Sequence, residues 1–106
     1  MPDADQDVER ERRQIALMRE RIGQFRDGSL SLARLISDLE GLLEARTRAS
    51  DQWIDEFRDA WTDLEVPYAV ALDRRTPIPD AHDPTVADGL FYLDRLIEQA
   101  ETDLLR

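Results

Sequence analysis

The sequence predicts an all-α protein: a single-domain antiparallel bundle of about four helices, the third kinked at Pro67. Three observations predict it. Leu, Ala, Arg, Glu and Asp dominate while strand-forming residues are scarce, a composition that favours helices. Apolar residues recur at steps of three and four in four separate segments. The links between those segments carry the Gly, Ser, Asp and Pro that start and stop helices.

The first segment, 5–26, places Ile15, Met18, Ile22 and Phe25 on one stripe. Its mixed run from Glu9 to Arg13 reads as a solvated face, with Glu9 at supportive spacing from Arg12 and Arg13. Residues 1–8 are a candidate for disorder. Gly28 then suits the positive φ of a helix C-terminus, and Ser29 or Ser31 can cap the next helix. That helix, 31–46, carries Leu32, Leu35, Ile36, Leu39, Leu42 and Leu43 on a wide apolar face.

Ser50 reads as the N-cap of a third helix. Its stripe runs Trp53, Phe57, Trp61, Leu64, Tyr68 and Leu72. Pro67 removes a backbone hydrogen bond and crowds the carbonyl of Asp63, yet the stripe keeps its phase, so one kinked helix is expected rather than two. Residues 74–83, with Pro77 and Pro79, form the longest loop. Asp83 and Pro84 read as N-cap and first residue of a fourth helix bearing Val86, Leu90, Leu93, Ile97, Ala100 and Leu104. An up-and-down bundle accommodates all four segments. A three-helix core with a loose N-terminal helix is the alternative.

The chain, residues 1–106, has the length of one domain and can bury roughly 65% of the surface its unfolded form exposes. It has no cysteine, which excludes disulfides and thiolate chemistry. The acidic start, Met1 to Asp5, lacks the pattern of a signal peptide, and no apolar run approaches the ~20 residues of a membrane span. The expected location is the cytoplasm. Net charge is -10, all of it from residues 27–106, because six Arg balance six acids in residues 1–26. Such a charge repels phosphate backbones and anionic lipid, so neither direct nucleic-acid binding nor membrane binding is expected.

Chemistry is hard to find. The single histidine, His82, lies in the loop between Asp80 and Asp83, with no second histidine to complete a metal site. Gly23, Gly28, Gly41 and Gly89 form no phosphate-binding motif. Acid–base catalysis by carboxylates alone needs a distinguished pair, and no spacing singles one out. The expectation is a protein that is not an enzyme, with no cofactor and no metal. The aromatic strip of the third helix reads as core.

One feature resists a purely structural account. Asp51, Asp55, Asp59 and Asp63 recur every four residues, with Glu56 and Glu65 beside them. Like charges at that spacing destabilise a helix by a few tenths of a kcal/mol per pair. From 50 to 66 there are six acids and one base, Arg58. This is either the solvated face of an acidic protein or a docking surface for a basic one.

Two stretches carry a resemblance. The helix from Leu30 to Glu44, and the segments Trp53 to Glu65 and Tyr68 to Asp73, are similar to small acidic bacterial helical proteins that resemble immunity proteins of polymorphic or contact-dependent toxin systems. The likeness covers roughly residues 15–73 and rests largely on core positions. It implies a neutraliser that binds a basic toxin domain through an acidic helical surface. The alternative is a self-associating, homo-oligomeric structural or adaptor bundle whose acidity confers only solubility.

Overall fold

Ser31, Ser50 and Asp83 each stand at the end of a link with extended backbone and accept hydrogen bonds from the first amides of the helix that follows: Arg34, Trp53, and Thr85 with Val86, respectively. Each thereby satisfies amides that have no carbonyl partner within the helix. The computed structural model describes the backbone of residues 2–105 and the side chains of residues 6–105. It contains α1 (Pro2–Arg26), α2 (Leu32–Glu44), α3 (Asp51–Arg74) and α4 (Pro84–Leu104), and no strand among the described residues.

The boundaries differ from the sequence expectation by up to three residues. α1 starts at Pro2 rather than 5. α2 is shorter than 31–46, because Ser31 is its cap and Arg46 lies past its end. Of the two candidate caps Ser31 is the one used, and the Ser29 amide instead closes on the Asp27 carboxylate. Two helices stop on left-handed residues. Gly28 follows α1 with φ 88°, and Arg75 follows α3 with φ 55°. In both cases the next amide reaches five residues back, Ser29 to the Gln24 carbonyl and Thr76 to the Ala71 carbonyl.

Long-range contacts set the directions. Arg21 meets Asp38 and Gln14 meets Ala45, so α1 and α2 are antiparallel. Arg19 meets Glu101 and Arg26 meets Asp94, so α1 and α4 are antiparallel as well. Trp53 reaches the Leu96 carbonyl while Ala60 touches Gly89, which makes α3 antiparallel to α4. Each helix packs on its chain neighbours, α1 closes the ring on α4, and α1 and α3 are diagonal. α1 is no loose appendage: Ile15, Met18, Ile22 and Phe25 are all buried in the common core.

α3 is one continuous helix through Pro67. Its buried line is not the one the spacing predicts. Trp53, Phe57 and Leu64 are buried, Trp61 and Tyr68 are half-buried, and Leu72 is 55% exposed, while Ala60 and Ala71 take core positions. The reason is helical phase. Residues 53 and 71 are 18 apart, about five turns at 3.6 residues each, so Ala71 returns beneath Trp53. A stripe stepping mostly by four overruns that period, and Leu72 ends about 100° past the core. Both tryptophans still bridge helices: the Trp53 indole donates to the Leu96 carbonyl, and the Trp61 indole to the Ile36 carbonyl, each at 2.9 Å. Among the described residues no helix is long and apolar enough to cross a membrane.

Candidate interaction surface

α3 presents its acids on the arc opposite the core. Asp51, Asp55, Glu56 and Asp59 are exposed, and Asp63 and Glu65 are half-buried. The four-residue repeat of aspartates does not make one straight row. Each step of four advances about 40° around the axis, so the row winds across the outer face. Its later members reach the α4 side. Glu56, Asp59 and Asp63 line a groove of about 720 Å³ between α3 and α4, opposite Tyr92, Arg95 and Gln99. Asp51 and Asp55 lie outside the groove, on open surface. Glu65, one turn beyond Trp61, lies on the edge that faces α2.

The groove exists because small residues meet beneath it. Gly89 packs so close to α3 that a Cβ there would stand 2.9 Å from the Ala60 carbonyl oxygen and 2.9 Å from the Asp63 Cβ. Ala60 and Leu96 form an apolar floor, and the longer polar side chains rise on either side.

Ion pairing separates α3 from the rest of the molecule. Each of the other helices has paired carboxylates, among them Glu101 with Arg19 at 2.6 Å, Asp94 with Arg26 at 2.8 Å, and Asp38 with Arg21 and Arg34 at 3.2 and 3.3 Å, although Glu40, Glu44, Asp88, Glu98 and Asp103 have no cation within 4.0 Å among the described residues. Among the described residues, none of the seven α3 carboxylates, Asp73 included, has a cation within 4.0 Å. The topology explains this. The arginines of α1 reach Asp38 of α2 and Asp94 and Glu101 of α4, the two helices it touches, and α3 sits diagonally out of their reach.

The sequence expectation missed α4's share of this surface. Phe91 and Tyr92 are 55% and 56% exposed, with their rings edge to face at 5.7 Å. The Arg95 guanidinium lies over the Phe91 ring, 5.8 Å from its centre. A signal was present: two adjacent aromatic residues fall between Leu90 and Leu93, off the apolar stripe.

It also missed Glu11. The run from Glu9 to Arg13 holds a surface pair, Glu9 with Arg12 at 3.2 Å, but Glu11 within it is only 1% exposed. Its carboxylate accepts from Arg46 Nε at 2.7 Å, from the Thr47 amide at 2.8 Å, from the Thr47 hydroxyl and from the Arg48 amide. Arg46 in turn lies over the Trp53 ring, 4.4 Å from its centre. Burial pushes the Glu11 carboxyl up, but the Thr47 amide, the Arg46 guanidinium and the Arg48 amide together outweigh it and hold the group below the usual carboxylate value. A carboxylate so engaged ties α1 to the α2–α3 link.

His82 is exposed in the loop, where its amide donates to the Asp80 carboxylate. Among the described residues no three His, Asp or Glu side chains stand close enough together to hold a metal ion. Comparisons with protein-family models, with curated proteins and with solved structures find no match.

Proposed function

We propose that this chain is a non-enzymatic protein-binding protein that neutralises a basic partner, in the manner of an immunity protein or antitoxin, by docking it on the acidic face of α3. One observation carries the reading: among the described residues all seven α3 carboxylates lack a cation within 4.0 Å, whereas each of the other helices pairs at least one of its own. Unneutralised like charge on one helix works against its stability. Set opposite a basic surface, the same charge accelerates encounter, and each carboxylate can take an arginine bidentately. A toxin domain with a basic active surface would be occluded by such a helix.

The test is a pull-down from the native host with the tagged chain, followed by salt titration of the complex and by its solution mass. A stoichiometric basic protein, released as salt rises and bound more weakly by the Asp55→Asn/Asp59→Asn variant, is the expected result. Recovery of the chain alone, at a defined multiple of its own mass, overturns the reading in favour of a self-associating bundle. The exposed Phe91 and Tyr92 are what that second reading would draw on.

A further inference from the structure

We infer that the α3–α4 groove is the centre of this docking surface and that it selects arginine over lysine, with Tyr92 as the platform on which a partner's guanidinium stacks. The inference rests on the acidic-face reading above and adds the chemistry of the bound side chain.

The groove's walls, floor and rim each match one part of an arginine. Its α3 wall offers Glu56, Asp59 and Asp63, none with a cation within 4.0 Å among the described residues. Its floor, Ala60 and Leu96, is apolar and suits the methylene stem that a long cationic side chain lays down behind its charged head. On its α4 rim Tyr92 is 56% exposed with Phe91 edge-on beside it, a large aromatic surface left in water next to three carboxylates. A planar guanidinium can stack on a ring and donate in its own plane to carboxylates at the same time, whereas an ammonium offers a compact point charge.

Arg95, the groove's own cation, shows which contact a guanidinium takes here. It lies over Phe91 rather than within 4.0 Å of any groove carboxylate. One cation against three anions leaves the groove at a formal charge of -2. The carboxylates therefore remain available to a second guanidinium, and Tyr92, which Arg95 does not cover, remains available as its platform.

The test uses the full chain and two synthetic peptides of equal length and charge, one bearing arginines and one lysines, titrated at low salt with calorimetric detection. The arginine peptide is expected to bind about tenfold more tightly. Tyr92→Ala should reduce its affinity to that of the lysine peptide, and Tyr92→Phe should retain the preference. Asp59→Asn with Asp63→Asn should weaken both peptides, and more so than Asp51→Asn with Asp55→Asn, which lie outside the groove. Salt-dependent binding with equal affinity for the two peptides overturns the groove assignment and leaves the acidic-face reading standing. The groove assignment falls equally if Tyr92→Ala folds normally and keeps the arginine preference. Absence of binding by either peptide overturns both.

Discussion

Glu11 and Arg46, thirty-five residues apart in the chain, meet as an ion pair at 2.7 Å with both side chains almost wholly removed from water. Such a pair is costly to break from one side, because the surviving charge stays buried without its partner. Glu11→Ala is therefore expected to destabilise the protein by about 3–5 kcal/mol, read as a lower denaturant midpoint at unchanged slope. Replacing Glu11 and Arg46 together by apolar residues should restore much of the loss.

The same carboxylate has a pH signature. Its folded-state pKa lies below the unfolded value of about 4.3, so its stabilisation is fully present above that pH and is lost as pH falls through the folded value. Stability measured from pH 6 downward should fall more steeply in the wild type than in Glu11→Gln. Taking the difference between the two cancels the relief of acidic repulsion common to both. Parallel pH curves would remove Glu11 from the account.

Gly89→Ala should destabilise. The added methyl meets a backbone carbonyl at 2.9 Å, and backbone cannot swing aside. Overpacking of this kind costs about 1–3 kcal/mol, against roughly 1 kcal/mol gained in helix propensity. A thermal melt of the variant at or above the wild-type temperature would mean that α3 and α4 separate freely there.

Arg75→Gly should stabilise by about 0.5–1 kcal/mol, because Arg75 holds a left-handed backbone that glycine adopts without steric cost. Denaturant titration of the single variant suffices, and an unchanged midpoint would refute it.

Trp53→Ala should cost about 3–5 kcal/mol, and Trp61→Ala less. Trp53 is buried, stacked on Phe57 at 5.1 Å and covered by Arg46, while Trp61 is half-exposed. The reverse order in urea titrations would place the weight of the core on α2 rather than α4.

Four helices, the caps at Ser50 and Asp83, a choice of Ser29 or Ser31 for the second helix, and most of the core were legible in the sequence, since capping and amphipathic period depend on residues a few positions apart. The period was less reliable over the length of α3. There a stripe extrapolated from Trp53 drifted off the core by Leu72, because a small phase error grows with every turn. The acidic repeat was visible too, but its convergence on a groove was not.

By itself, then, the sequence determined the helix count, their boundaries to within a few residues, and the concentration of acid on α3. Only the tertiary structure decided which charges are neutralised. Pairing runs across helices, and whether an arginine of α1 can reach a carboxylate depends on which helices are adjacent and which diagonal. The same holds for Glu11: four residues before Ile15, it falls in line with the apolar stripe, but only the α2–α3 link folded over it supplies the donors that hold a carboxylate there. It holds again for Tyr92, a residue off the stripe whose place beside Asp59 and Asp63 arises from the close approach of Gly89 to Ala60.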